Sequence, residues 1–276
     1  MLKALFVSSR PLSWVNTAFP FAAAYLLTTG QVDVTLIVGT IFFLIPYNLA
    51  MYGINDVFDY ESDLRNPRKG GVEGALLDTR MHRPTLIASV VTTVPFVVYL
   101  VIVGSPLSWL VLAISLFAVV AYSAKGLRFK EKPFLDSITS STHFVSPAVY
   151  GLVLAGAVFT TQLWAVLGAF FLWGMASHAF GAVQDVIADR EGGIASIATV
   201  IGARWTVRFA VIAYLLGGVL LLFSAWPGPL AAILVLPYAA VCALYRALMS
   251  SLASNGSPLQ VTVLPFTRSK RFFTKP

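Results

Sequence analysis

Long apolar stretches are the feature that most constrains the fold of this chain. Crossing about 30 Å of hydrocarbon takes about 20 residues of helix, and only helices or closed barrels satisfy their backbone polar groups in lipid. Apolar runs this long and continuous are typical of helices. The sequence predicts eight of them, over residues 11–29, 34–55, 85–103, 107–123, 138–157, 163–184, 206–225 and 230–250.

The composition excludes a water-soluble fold. Of the 276 residues, 58% are hydrophobic and 11% are charged, and the mean hydropathy is +0.81. A single soluble core of this size could not bury so many apolar side chains, and ordinary soluble domains carry about a quarter charged residues. The one cysteine, Cys242, excludes an internal disulfide framework and a cysteine-rich metal site. We therefore expect an all-α polytopic membrane bundle over residues 1–250, followed by a basic, atypical tail over residues 251–276.

The placement of charge predicts the orientation of the bundle. If the amino terminus is cytoplasmic, all 19 basic residues lie on the cytoplasmic side, as the positive-inside rule requires. The net charge of +7 therefore needs no nucleic-acid partner. Eleven of the 12 acidic residues share that side, and the exception is Asp33. We expect a multi-pass protein of the cell membrane whose amino terminus and active site face the cytoplasm.

An acidic cluster follows the second predicted helix. Asp56, Asp59 and Asp63 are spaced i, i+3 and i+7, which places them on one stripe of a helix, and Asn55 lies on the adjoining flank. Three stacked carboxylates repel one another, and the carboxyl end of a helix is the unfavourable end of the macrodipole for acids. A divalent cation removes both penalties, and hard oxygen ligands of this kind suit Mg²⁺. The alternative is a solvated acidic helix end.

A second acidic pair follows the sixth predicted helix. Asp185 and Asp189 are four residues apart and share a helical face. One such pair is common by chance, but two acidic clusters at the same end of two even-numbered helices indicate two four-helix halves with equivalent metal-binding corners. We expect the five aspartates to form the catalytic centre and to converge on magnesium.

Basic side chains near these clusters predict an anionic substrate. Mg²⁺ in enzymes is held by a few carboxylates together with substrate phosphates, and Arg and Lys bind phosphate well. Six basic residues after the second and fourth helices are the candidate diphosphate ligands: Arg65, Arg68, Lys69, Lys125, Arg128 and Lys130. The positive-inside rule is the alternative explanation for each of them. The pattern favours departure of diphosphate from an allylic carbon, with the apolar bundle sheltering the carbocation from water.

Several motifs together resemble the UbiA superfamily of intramembrane prenyltransferases. They are NDVFDYESD at 55–63, YSAKGLR at 122–128 and DVIAD at 185–189. More narrowly, longer stretches resemble the bacterial lycopene elongases of C50 carotenoid synthesis, among them SSRPLSWVNTAFPF at 8–21 and LRFKEKPFLDSITSSTHFVSPA at 127–148.

The resemblance implies transfer of dimethylallyl groups from dimethylallyl diphosphate to the ends of lycopene, giving a C45 and then a C50 product. It implies Mg²⁺ as the cofactor, with Asn55 and the five aspartates as ligands, and diphosphate binding by Lys125 and Arg128. It also leaves room for partner enzymes of the carotenoid pathway. The superfamily has nine helices, however, and residues 254–276 could not form a ninth span.

Two other functions remain open from the sequence. A quinone-pathway enzyme of the same superfamily would attach a long polyprenyl chain to an aromatic ring. An ion-coupled transporter would need charges along a path across the bilayer, whereas the predicted outer turns hold one acid and no base. His143 and His178 lie on predicted helices, where polar packing is expected in preference to general-base catalysis.

Overall fold

The computed structural model describes residues 1–64 and 76–254. These residues form helices and connecting turns and contain no strand. Short 3-10 helices occupy Pro11–Ser13, Thr79–Met81 and Phe129–Glu131. The α-helices are α1 (Leu2–Ser8), α2 (Val15–Thr29), α3 (Val34–Leu44), α4 (Pro46–Phe58), α5 (Tyr60–Asp63), α6 (His82–Val103), α7 (Pro106–Ser123), α8 (Leu135–Leu154), α9 (Thr161–Gly192), α10 (Ile197–Ile201), α11 (Ala203–Leu222), α12 (Gly228–Ile233) and α13 (Val235–Ser254).

The predicted all-α membrane bundle is confirmed. Each of the eight predicted stretches is helical. Two of the eight are not among the six spans named next. The helix α2 has only 15 residues, and α8 carries many Ser and Thr side chains. Six segments of the described chain are long and apolar enough to cross a membrane: Val34–Phe58, Thr79–Val103, Pro106–Ser123, Thr161–Ile187, Ala203–Leu222 and Gly228–Ala247.

The second predicted helix is divided at Pro46, where α3 ends and α4 begins. Proline has no backbone N–H and disturbs the preceding turn, so carbonyl groups near it need other donors. The buried Asn48 amide supplies them, because its Nδ2 donates to the carbonyl oxygens of Phe43 at 2.8 Å and Leu44 at 3.0 Å. The same nitrogen donates to Thr17 Oγ1 at 2.7 Å, which ties the break to α2.

The interior consists of two main apolar clusters that correspond to the two halves of the chain. The first is aromatic and joins α2, α3, α4, α6 and α7 around residues such as Phe21, Phe43 and Tyr47. The second joins α9, α10, α11 and α13 through smaller side chains, Ala210 and Cys242 among them. Helix α8 packs against α2, α7 and α9, so it lies between the halves.

The helices alternate in direction, which brings the polar connections to one end of the bundle. The ends of α4, α7, α9 and α13 and the starts of α6, α8 and α11 meet there. We call this the charged end, because it carries Asp56, Asp59, Asp185 and Asp189. Asp33 lies at the opposite end, where its side chain accepts a hydrogen bond from Leu36 N at the start of α3.

Close packing of α2 against α8 depends on Gly151. A Cβ atom there would lie 2.8 Å from the backbone oxygen of Phe21 and 3.3 Å from Ala24 Cβ. We expect Gly151→Ala to destabilise the protein by about 1–3 kcal/mol, since a backbone carbonyl cannot move aside as a flexible side chain can. Thermal unfolding in detergent measures this.

Gly181→Ala is the matched control for this prediction. A Cβ atom at Gly181, also within a helix, meets nothing within 4 Å in the described structure. It is expected to be neutral or to stabilise by up to about 1 kcal/mol, because alanine has the higher helix propensity. Equal losses in the two variants would contradict the proposed role of Gly151.

Candidate active site

The first acidic cluster lies at the charged end, where α4 stops. Asp56 is 1% exposed, Asp59 is 4% exposed and Asp63 is also buried. Helix α4 ends at Phe58, and Asp59 has ψ near 0° before the short helix α5. Helical hydrogen bonding continues across this point, since Asp59 N donates to the carbonyl oxygen of Asn55 at 2.9 Å and Asp63 N donates to that of Asp59 at 2.8 Å.

Arg10, which the sequence analysis did not select, belongs to this cluster. Its Nη2 donates to Asp56 Oδ1 at 3.0 Å, and its guanidinium carbon lies 4.3 Å from the centre of the Tyr52 ring. A guanidinium held in this position compensates the charge of a buried carboxylate. Arg10 precedes Asp56 by 46 residues, so no local spacing could have indicated the contact.

Two of the predicted diphosphate ligands meet the same cluster from the loop after α7. Lys130 Nζ forms an ion pair with Asp59, and Arg128 Nη2 lies 3.8 Å from Asp59 Oδ1. Arg128 also donates to the carbonyl oxygen of Phe58 at 3.3 Å and forms an ion pair with Glu131. That pairing raises the pKa of Arg128 and lowers the pKa of Glu131.

The remaining predicted basic ligands are placed differently or not at all. Lys125 is exposed and pairs with no acid within residues 1–64 and 76–254. Arg65, Arg68 and Lys69 lie outside the described residues. The structure therefore brings Arg128 and Lys130 to the acids, and it leaves the other four predictions as predictions.

Both arginines that hold the first cluster have left-handed backbone conformations. Arg10 has φ of 49° and Arg128 has φ of 42°. This region costs energy for residues with a Cβ atom, and residues in it persist where the surroundings fix them, often at functional sites. Arg10 contacts Asp56 and Arg128 contacts Asp59, so both of these residues lie at the acidic cluster.

Asn55 and the second acidic pair lie on neighbouring elements of the charged end. Ser123 Oγ, at the end of α7, donates to Asn55 Oδ1 at 3.0 Å. Helix α9 continues past the end of the predicted apolar span at Gln184, through Asp185 and Asp189 to Gly192, as their shared helical face requires. The two aspartates therefore lie one turn apart on a regular helix.

The surroundings of Asp189 disfavour the charged form of its carboxylate. Burial raises the pKa of Asp189 to about 6, and the neighbouring Asp185 carboxylate acts in the same direction. A hydrogen bond from Ser196 Oγ at 3.0 Å and the charge of Lys130 oppose that rise. Lys130 therefore interacts with both acidic clusters, by an ion pair with Asp59 and by longer-range attraction to Asp189.

The donors at the charged end fit a magnesium ion that shares its ligands with a phosphate substrate. No three His, Cys, Asp or Glu side chains of the described residues are close enough to hold a metal ion by themselves. Mg²⁺ does not require that, because one or two carboxylates with water and substrate phosphates are its usual ligands. Buried aspartates with Arg128 and Lys130 beside them provide this combination.

A polar layer lies beneath the acids, toward the apolar interior. The Tyr122 ring makes edge contacts with the rings of both His143 and His178. His178 Nε2 is 3.9 Å from Asp136 Oδ2, and Asp136 accepts hydrogen bonds from the backbone nitrogens of Ser137 and Ile197. Asp136 was not among the predicted site residues, since it follows a loop and stands outside both acidic motifs.

His143 is the least satisfied member of this layer. It is 3% exposed. Its Nε2 has no hydrogen-bond partner among the described residues. A buried ring nitrogen in this position is available to a bound molecule.

A helical membrane bundle with two acidic clusters and paired cations at one end is the arrangement of an intramembrane prenyltransferase. The chain belongs to the UbiA prenyltransferase family, whose sequence profile matches residues 17–266. A UbiA homolog from Archaeoglobus fulgidus, solved with DMAPP and Mg²⁺, shares the fold with a TM-score of 0.70 at 18% identity, over 90% of this chain and 87% of that one.

Closer relatives carry carotenoid names. The C(50) beta-cyclic carotenoids biosynthesis protein LbtBC of Dietzia sp. is 64% identical over 89% of this chain, which spans only 57% of that protein's length. The lycopene elongase/hydratase of Corynebacterium glutamicum is 56% identical over 86% of this chain and 83% of its own length. A lycopene elongase/hydratase of Halobacterium salinarum is 35% identical over 78% of each chain.

Proposed function

We propose that this chain is a magnesium-dependent membrane prenyltransferase that transfers dimethylallyl groups from dimethylallyl diphosphate to the ends of lycopene. The observation that carries the proposal is the position of Lys130, which pairs with Asp59 and attracts Asp189 at the same end of the bundle. An allylic diphosphate needs both kinds of group, carboxylates for the metal and cations for its own phosphates.

The roles follow from the positions of the side chains. Asn55, Asp56, Asp59, Asp63, Asp185 and Asp189 would hold magnesium, which when bound supplies positive charge that stabilises the departing diphosphate. Arg128 and Lys130 would bind the phosphate oxygens directly, with Lys125, Arg65, Arg68 and Lys69 as further proposed contacts. Arg10 would orient Asp56, since its guanidinium is fixed between that carboxylate and the Tyr52 ring.

The interior of the bundle suits the organic part of the reaction. The C–O bond to diphosphate breaks at the charged end, and the C–C bond to the acceptor forms below it. Apolar clusters on both sides of α8 keep water away from the carbocation. The names of the relatives favour lycopene as the acceptor.

The last step requires removal of a proton, and His143 is the group we propose for it. Alkylation of an alkene leaves a carbocation on the acceptor, which either loses a proton or takes up water. The Nε2 atom of His143 is buried in the polar layer beneath the acids and has no hydrogen-bond partner among the described residues. Proton transfer to it would end the reaction as an alkene.

His143→Ala is expected to raise the share of hydroxylated product by about tenfold or more, while consumption of dimethylallyl diphosphate falls by less than that factor. Chromatography of the carotenoid products measures the ratio. His82→Ala is the control, because His82 lies at the start of α6 and contacts Tyr60. An unchanged product ratio in His143→Ala would remove His143 from the mechanism.

The function is tested with membranes that contain the expressed chain. Lycopene with dimethylallyl diphosphate and Mg²⁺ is expected to yield products longer by one and two five-carbon units, together with free diphosphate. An aromatic acid with a long prenyl diphosphate tests the quinone-type alternative, and turnover of that pair alone would overturn the carotenoid proposal. Ion flux into vesicles without any release of diphosphate would favour a transporter instead.

We also propose that the charged end faces the cytoplasm and that residues 1–250 form the catalytic unit, with residues 251–276 as a basic tail. The orientation is supported by the basic residues of the sequence, which all lie on one side of the predicted spans. Partner enzymes of the carotenoid pathway would then meet the protein at this face or within the bilayer.

A further inference from the structure

An open groove of about 440 Å³ lies on the outside of the bundle, away from the acidic clusters. It is formed by α11 and α13 at the charged end, with Phe134 closing one side. Its walls are largely apolar, and Phe134, Trp205 and Ile212 are all exposed. Because both helices are long and apolar enough to span a membrane, this groove opens toward lipid.

Two arginines line one end of the groove, Arg208 near the start of α11 and Arg246 on α13. A third, Arg204, lies one helical turn before Arg208 and outside the lining. Arg204 and Arg246 are close enough to repel the charge of Arg208. Neither Arg204 nor Arg208 has an acidic partner in the part of the chain that the structure describes.

The position of one guanidinium is fixed. The Arg208 guanidinium carbon lies 4.4 Å from the centre of the Trp205 ring, and such stacking restricts the side chain. Trp is also the side chain that prefers the boundary between head groups and hydrocarbon. Arg208 is therefore held at the level of the lipid head groups, facing into the groove.

The groove is positively charged at one end and apolar further into the bilayer, which is the order of head group and acyl chain in a phospholipid. Along α11 the arginines at 204 and 208 come first, and Val211 and Ile212 follow one turn deeper on the same face. Helix α13 runs the opposite way and matches this order, since Arg246 lies nearer the charged end than Ala243.

We propose that this groove binds one anionic phospholipid. The phosphate would be held by Arg208 and Arg246, with Arg204 adding positive charge one turn away, and an acyl chain would lie along Ile212 and its neighbours. Basic pockets between membrane helices suit such head groups. A free phosphate would leave the apolar part uncovered, and residues 255–276 carry four basic and no acidic side chains, so the arginines would repel that segment.

Native mass spectrometry of the full chain in detergent tests the proposal. Phosphatidylglycerol is expected to remain bound as a single molecule, at least about tenfold more than phosphatidylcholine with the same acyl chains. The double variant Arg204→Gln, Arg208→Gln is expected to lose that preference. Arg83→Gln is the control, since Arg83 is an exposed basic residue at the start of α6 and lies outside the groove.

The variant Ile212→Trp distinguishes binding of a lipid from binding of a free anion. It leaves the arginines in place and fills the apolar part of the groove, so retained phosphatidylglycerol is expected to fall by about tenfold. Excess inorganic phosphate is expected not to displace the lipid. Equal binding of the two lipids, equal loss in Arg83→Gln, or displacement by phosphate alone would each overturn the proposal. A dimer that dissociates in Ile212→Trp would assign the groove to a second copy of the chain and would overturn it too.

Discussion

Asp59→Ala and Asp185→Ala are each expected to lower turnover of the allylic diphosphate by about 10³-fold or more, with normal membrane insertion. The two residues come from opposite halves of the chain, on α4–α5 and α9. Loss of one charge-stabilising group from a preorganised site typically costs a factor of about 10²–10³, and a magnesium ion held by few carboxylates has no substitute ligand.

The measurements separate metal binding from folding. Titration with Mn²⁺ in the presence of the diphosphate substrate reports the metal, and size-exclusion chromatography in detergent reports the fold. Asp78→Ala is the control at the same end of the bundle, because Asp78 is exposed and only caps a 3-10 turn through Arg80 N. Full activity in both Asp59→Ala and Asp185→Ala would contradict the proposed metal site.

The helices could be predicted because hydropathy and length are local properties. The eight apolar runs correspond to observed helices, although the second is divided between α3 and α4 and the eighth between α12 and α13. The apolar span predicted for α9 stops at Gln184 because hydropathy marks where a helix leaves the lipid. Backbone hydrogen bonding carries the same helix on to Gly192.

The contents of the candidate site could be predicted only in part. Helical period indicated which acids share a face, and the charge rule indicated that both clusters lie on one side of the membrane. Contacts between distant elements leave no spacing in the sequence, so Arg10 and Asp136 were missed. Nor does spacing in the sequence show that Lys125, which lies in a recognised motif, is exposed while Lys130 pairs with Asp59.

Lys130→Met is the second prediction with a large expected effect. We expect kcat/KM for the allylic diphosphate to fall by about 10- to 100-fold, because one charged contact with phosphate contributes about 1.5–3 kcal/mol. The loss should be largest in KM if Lys130 holds the substrate throughout, and in kcat if it acts chiefly on the departing diphosphate. Steady-state kinetics over a range of substrate concentrations distinguishes the two.

Lys132→Met is the matched control for that experiment. Lys132 stands two residues further along the same loop, is exposed, and lies with its Nζ 5.0 Å from the centre of the Phe129 ring. Removing its charge changes the field of the loop by the same amount and leaves the pair between Lys130 and Asp59 intact. If the two variants lose equal activity, the general positive potential of the loop explains the effect. If only Lys130→Met loses activity, the side chain that pairs with Asp59 is the one that contacts the substrate.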